Sequence, residues 1–386
     1  MKALLSVIQN NVRQYSMTFA LLLIMILFQL LTDGILLQPL NITNLILQNS
    51  YILILAIGMV LIIITGHIDL SVGSIAAFIG ALSAILMIQM NLDPILSVLI
   101  CLLVGALVGA WQGFWVAYVK IPAFIVTLAG MLIFRGITLI MLQGQSIAPF
   151  PPSFQRLSSG FLPDVFNGSS LHLLSLLIGV LLCAILIFIE LRGRKRKQNN
   201  GTDVLNPTLF ILKLVGIAAV ILGFTYILAS YRGIPYILIL LIALIAFYAF
   251  LTKKTVFGRH IYAVGGNEKA AALSGIKTKR VTFMVFVNMG MLAALSGLIF
   301  AARLNAATPR AGNLFELDAI AAAFIGGASA YGGVGTVIGA VVGGLVMGVM
   351  NNGMSILGLG IDWQQAIKGL VLLAAVAFDI MNKKRG

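Results

Sequence analysis

The sequence predicts an all-α polytopic integral membrane protein with about twelve transmembrane helices, and three observations predict it. Of its 386 residues, 60% are hydrophobic and 9% are charged, whereas a soluble domain carries about a quarter charged residues to cover its core. The apolar residues form continuous runs of the length that crosses a bilayer, about 20 residues per helix. Those runs lack the period-two alternation of membrane-barrel strands.

The runs lie near 17–37, 43–65, 71–90, 95–118, 122–142, 171–190, 208–229, 234–251, 281–302, 317–331, 334–351 and 364–381. The first, with Lys2 and Arg13 ahead of Met17–Leu31, has the look of a signal peptide. No small-x-small cleavage site follows, so it reads as an uncleaved first helix. The run at 317–331 is short and glycine-rich. A broken or re-entrant helix is the alternative there, tolerable only where its backbone faces protein or a cavity. Glycines recur every fourth residue at Gly105, Gly109 and Gly113, and again at Gly335, Gly339 and Gly343. That spacing places small residues on one helical face and predicts close helix packing. A dinucleotide fingerprint needs a different spacing and a preceding strand.

The formal charge of +14 is explained by its distribution. With the N-terminus in the cytoplasm, the inside segments hold eighteen Lys and Arg and the outside ones four: Arg156, Arg232, Arg303 and Arg310. The positive-inside rule then puts both termini in the cytoplasm. The charge serves topology and contact with anionic membrane lipid, and no nucleic-acid partner is needed. Arg135, Lys213 and Lys368 fall inside proposed spans, each near enough to an end to snorkel.

The chain reads as one transmembrane domain over 1–386, with three segments outside the spans. Residues 143–170, with Pro149, Pro151, Pro152 and Pro163, form an external loop. Residues 191–207 form a basic cytoplasmic loop containing R-G-R-K-R-K. Residues 252–280 form a cytoplasmic loop with a short helix from Asn267 to Ser274. Asn267 is placed to cap that helix and Gly275 to stop it. Gly258, Gly265, Gly266 and Gly275 permit turns on either side, and Ala270, Ala271 and Ala272 keep the helix slim enough to seat in a partner's cleft.

Chemical motifs are few. The stretch T-G-H-I-D-L-S-V-G-S at 65–74 contains Asp69 between two apolar runs. Asp69 reads either as a turn residue, with it or Ser71 capping the next helix, or as a buried functional carboxylate. His67 reads as a turn or interfacial residue. The sequence has no G-x-x-x-x-G-K-[ST], no G-x-S-x-G, no H-E-x-x-H and no cluster of metal ligands. No catalytic residue, cofactor site or metal site is therefore expected in this chain. Cys101 and Cys183 sit within apolar runs and form no disulfide framework. N-I-T at 41–43 and N-G-S at 167–169 match a common glycosylation triplet. Asn288, Asn351 and Asn352 are uncharged amides within or at the ends of proposed spans, and together with Asp69 they are candidates for lining a polar translocation path. Helix–helix hydrogen bonding is the alternative use of the three amides.

The block F-G-R-H-I-Y-A-V-G-G-N-E-K-A-A-A-L-S-G-I at 257–276 closely resembles the cytoplasmic loop of the ribose/xylose/arabinose/galactose class of ABC-importer permeases. I-D-L-S-V-G-S at 68–74, P-A-F-I-V-T-L-A-G-M at 122–131 and I-G-G-A-S-A-Y-G-G-V-G-T within 317–339 agree with it, in the family's order. The resemblance runs nearly end to end and is nearest to xylose-type and multiple-monosaccharide permeases. It implies a multi-pass protein of the bacterial cytoplasmic (inner) membrane, paired with a second permease chain as a homodimer or with a related permease. It also implies two other partners: an extracytoplasmic sugar-binding protein, and a cytoplasmic ABC ATPase that uses ATP-Mg. By the same resemblance Gly258, Arg259, Gly266, Asn267, Glu268, Ala270, Ala271, Ser274 and Gly275 couple to that ATPase. The family usually has about ten spans, so the runs at 171–190 and 208–229 are an extra pair. Two other readings are an ion-coupled secondary transporter, which needs ionisable groups near the midplane, and an intramembrane protease using Asp69 with Asp379.

Overall fold

The computed structural model describes residues 12–166, 171–201 and 206–383, and its regular elements there are helices. They are α1 Val12–Leu31, α2 Pro39–Ile64, α3 Val72–Ala84, α4 Pro94–Phe114, α5 Ala123–Leu142, α6 Pro152–Ser159, α7 Leu173–Asn199 and α8 Pro207–Ala229. There follow α9 Tyr236–Lys254, α10 Val256–Gly266, α11 Glu268–Leu273, α12 Thr278–Leu304, α13 Phe315–Ile325, α14 Val337–Ile356 and α15 Ile361–Lys383. π-helical turns at Ile85–Gln89 and Trp115–Val119 extend α3 and α4. Nine helices among the described residues are long and apolar enough to cross a membrane, and α1 adds the shorter apolar stretch Met17–Leu31.

Local chemistry starts these helices where they start. Pro39, Pro94, Pro152 and Pro207 each open a helix, where a missing N–H costs nothing. Asp93 caps α4 by accepting hydrogen bonds from the backbone N–H of Ile95 and Leu96. Thr336 caps α14 through Gly339 N–H.

The core is built around α2. From Ile52 to Ile64 its apolar side chains are almost completely buried, the pattern of a helix enclosed by other helices. Against it pack α12 and α14, and α4 crosses α12 on its far side. The α4–α12 contact is a backbone contact. A Cβ added at Gly109 would lie 2.3 Å from the Phe286 carbonyl oxygen, and one at Gly290 would lie 2.2 Å from that of Gly105. The four-residue glycine spacing of α4 is thus a packing seam. In the second run, Gly339 and Gly343 seat α14 against Gly326 and Ala322. Gly335 does not join them; its φ of +157° places it in the loop before the helix.

Three expectations need correction. The run at 317–331 is not one continuous span: α13 has 11 residues, about 16 Å of helix against a hydrocarbon core of about 30 Å. Irregular chain at 305–314 precedes it and a glycine-rich loop at 326–336 follows, which is the broken form anticipated as the alternative. The basic run at 192–197 is helical and continues α7 to Asn199; residues 202–205 lie outside the described part. The segment 143–170 is more ordered than an irregular loop. It carries α6, turns Phe150 and Phe154 inward, and pairs Ile147 with Ala307 and Phe161 with Pro235. The N-G-S triplet lies outside the described residues.

The extra pair, α7 and α8, packs as a hairpin with Gly179 against Thr225. Most of its apolar side chains face outward, so it sits at the periphery. Lys213 does not reach for an end alone; its ammonium lies 2.7 Å from the Glu190 carboxylate.

Candidate functional site

The candidate site is assembled around α11. Asn267 adopts an extended conformation and its side chain accepts a hydrogen bond from Ala270 N–H, so the cap read from the sequence is formed. At the other end Gly275 takes φ +85°. Gly275 N–H bonds the Ala272 carbonyl and Ile276 N–H bonds that of Ala271, the paired bonds of a Schellman stop. Ser274 Oγ donates to Ala270 O, closing the last turn. Between these ends Ala271 is buried, while Ala270, Ala272 and Leu273 are exposed. Leu273 stands 91% exposed, more than any other large apolar side chain described.

The other glycines do not make turns. Gly258 and Gly265 lie inside α10 and Gly266 is its last residue. They serve close approach instead. A Cβ at Gly258 would lie 2.3 Å from the Leu251 carbonyl oxygen, which lets α9 and α10 fold together with only Thr255 between them. One at Gly265 would lie 1.6 Å from the Ile64 carbonyl oxygen. That same carbonyl accepts from Gly333 N–H, and Tyr262 O–H donates to Gly335 O. The end of α2, helix α10 and the loop between α13 and α14 thus meet backbone to backbone. Arg259 is exposed beside this junction.

Glu268 ties α11 to two more elements. Lys120, in the left-handed region at the end of α4, donates to Glu268 Oε1 at 2.7 Å, and Thr278 Oγ1 at the start of α12 does so at 3.3 Å. The hydrogen bond from Lys120 holds the Glu268 carboxyl below the usual carboxylate range. Both partners of the ion pair are about half exposed, so its stabilising value is small, at most about 1 kcal/mol; its effect is to fix position. A cavity of about 360 Å³ opens beneath it, lined by Lys120, Glu268, His67, Phe124 and Thr282 among others. Burial lowers the His67 imidazole, which favours its neutral form.

Asp69 lies in the connection between α2 and α3 and is 1% exposed. Its Oδ1 accepts from Ser71 N–H at 2.8 Å and from Ser71 Oγ at 2.6 Å. Gln112 Nε2 of α4 in turn donates to Ser71 Oγ at 2.8 Å. Asp69 is thus a buried carboxylate that organises the turn before α3, but neither it nor Ser71 forms a side-chain cap on that helix. Burial pushes its carboxyl up to about 6.

The four path candidates are not brought together. Asn352 exchanges two hydrogen bonds with the Asn41 amide, at 2.8 and 3.1 Å, joining α14 to α2. Asn288 accepts from Tyr248 O–H on α9, and its Nδ2 has no partner. Asn351 Oδ1 likewise has none. Sequence reasoning missed a set of charges around α13. Lys368 of α15 is paired with Asp318, Glu316 is buried beside Gly73, and Arg135 donates to the carbonyls of Pro309 and Ala311. Neither Arg135 nor Lys368 is spent on snorkelling. Asp318 was hidden because its run was read as an ordinary span; two acidic residues at 316 and 318, ahead of an alanine run, were the available signal.

Comparison with known proteins agrees with the resemblance. The chain is 40% identical over 375 residues to the xylose transport system permease protein XylH of Haemophilus influenzae, covering 97% of this chain and 98% of that protein. Identity to the protein of the same name from Escherichia coli is also 40%, over 97% and 93% of the two chains. The ribose import permease protein RbsC of Bacillus subtilis is 35% identical over 96% and 94%. No solved structure matches the chain. The family model described as branched-chain amino acid transport system / permease component matches residues 41–376, and the chain belongs to that family.

Proposed function

We propose that this chain is the membrane-spanning permease subunit of an ATP-driven importer of a monosaccharide, a pentose such as xylose or a related sugar, in the bacterial inner membrane. The observation that carries the reading is α11: a six-residue helix, capped at both ends, that holds one apolar side chain almost fully in water while Glu268 at its base is locked to Lys120 after α4 and to Thr278 of α12. A cytoplasmic ATPase that hydrolyses ATP-Mg grips that helix, and this chain itself carries out no catalysis. Movement of α11 passes through Gly265 to the end of α2 and the α13–α14 loop, and through Glu268 to the α4–α5 turn. Both termini lie in the cytoplasm, a second permease copy completes the channel, and an extracytoplasmic binding protein delivers the sugar.

The sugar passes beside α13 in this reading. Irregular backbone at membrane depth persists only where protein or a cavity faces it, and a cavity of about 80 Å³ lies there, lined by Asp318, Gln365 and Lys368 among apolar groups. Asn351 keeps an unpartnered amide oxygen and stays a path candidate. Asn288 faces a separate lateral groove, Asn352 is occupied by Asn41, and Asp69 organises a turn.

The deciding experiment is uptake of labelled xylose and ribose by proteoliposomes holding the permease, its ATPase and its binding protein. Uptake that needs ATP and persists with a protonophore supports the reading; uptake driven by an ion gradient without ATP refutes it.

A further inference from the structure

A groove of about 740 Å³ runs along the side of α12, between it and the corner where α9 meets α10. Its lining changes character along its length. At one end stand Lys277 and Arg280, both exposed, with the His260 imidazole beside them. Neither cation forms an ion pair with any described residue, and the lining contains no carboxylate. Away from that end the walls are Phe257, Met284, Val287 and Met291. Met284 and Met291 are 38% and 41% exposed.

The dimensions fit one leaflet. Arg280 and Met291 are eleven residues apart on α12, about 16 Å along a helix. One leaflet of hydrocarbon is about 15 Å deep, half of a core of about 30 Å. With Arg280 at the level of the headgroups, Met291 lies near the bilayer centre. Its basic end is the end of α12 that adjoins α11, beside Gly275.

We propose that this groove is a binding site for an anionic phospholipid of the cytoplasmic leaflet. Lys277 and Arg280 hold the phosphate, with His260 as a further hydrogen-bonding group, and one acyl chain lies along Met284, Val287 and Met291. Basic pockets at the cytoplasmic ends of transmembrane helices suit such headgroups. A soluble partner is a poor occupant of the part lined by Met284, Val287 and Met291, which lies within the membrane-crossing length of α12. The assignment of the basic end to the cytoplasm rests on the orientation proposed above; the existence of the site does not require the chain to transport a sugar.

The test is native mass spectrometry of the purified permease after exchange into mixed phosphatidylglycerol and phosphatidylcholine. Wild type should retain phosphatidylglycerol in preference by roughly thirtyfold, as two unpaired cations at a surface imply. Inorganic phosphate at millimolar concentration should not displace it, since the acyl chain supplies part of the binding. K277Q/R280Q should abolish the preference, while K253Q/K254Q, which removes two exposed lysines outside the groove, should keep it. Wild type without a preference overturns the site, and this arm needs no variant to fold. The proposal also fails if K277Q/R280Q retains the lipid as wild type does. Loss of ATPase or of a second permease copy from that variant, with lipid retention unchanged, would make the groove a protein interface and refute the lipid site.

Discussion

Lys368 Nζ lies 3.0 and 3.2 Å from the two carboxylate oxygens of Asp318, joining the last long helix, α15, to the 11-residue helix α13. Asp318 is buried and Lys368 only a quarter exposed. Few other contacts hold α15 to the molecule, and its outward face is largely apolar. The pair therefore sets where α15 sits relative to α13.

Breaking a sequestered pair from one side leaves the other charge uncompensated, which costs more than the pair is worth intact. D318A and K368M should each lower the melting temperature in detergent and the uptake rate. The double variant should be less damaged than the sum of the two, with a coupling of about 1–3 kcal/mol. Additive losses would show that the two side chains do not act as a pair.

The docking role of α11 is tested at its outward face. Ala271 is a poor probe, because it is buried and an arginine there would displace the helix from its seat. Leu273 is the better one. L273D should leave insertion and melting temperature within experimental error, since the side chain touches almost nothing in the free permease. It should reduce ATPase association and ATP-dependent uptake by at least about tenfold, the effect of losing a buried apolar anchor of about 1.5 kcal/mol. Normal ATPase association by L273D would remove α11 from the interface.

Much of this was legible beforehand. The asparagine cap and glycine stop of α11 are local chemistry, and local chemistry can be read from adjacent residues. So can the small-residue seam of α4, because its three glycines share a face by spacing alone. The contacts that make the site a lever are long-range. Gly265 against Ile64 and Lys120 against Glu268 join residues 201 and 148 positions apart, and nothing in either neighbourhood announces the other. The charges around α13 were missed for a different reason. Asp318 falls inside the run at 317–331, and only a helix that stops after 11 residues brings irregular backbone and the carboxylates of Glu316 and Asp318 together.

Asp69 gives the stability a pH dependence. Its folded carboxyl, at about 6, titrates above its unfolded value near 4. The folded state therefore binds more protons than the unfolded state between about pH 4 and 6, and stability falls as pH rises through that window. The cost at neutral pH is on the order of 3 kcal/mol. D69N removes the charge and keeps an oxygen to accept from Ser71. It should melt at a higher temperature than wild type at pH 7.5, and the difference should vanish near pH 4. A constant difference across that range would refute the titration.

The proposed orientation rests on the eighteen basic residues assigned to one side and the four assigned to the other, and it can be labelled directly. Ser158 is unsuitable on the external side because it lies on the buried face of α6 and is completely buried, so a cysteine there would stay silent on either face. Ser153 is exposed on the same helix, and Asn199 is exposed at the end of α7. Cys101 and Cys183, both buried, are first replaced by alanine to remove background. In sealed right-side-out vesicles a membrane-impermeant maleimide should label S153C and not N199C. In inverted vesicles the pattern should reverse, since α7 alone separates the two positions from the bilayer's opposite faces. The two sites also test the extra hairpin independently of the termini. If α7 lay flat on the surface instead of crossing, both cysteines would label from the same side, and the peripheral pair would have to be taken out of the span count.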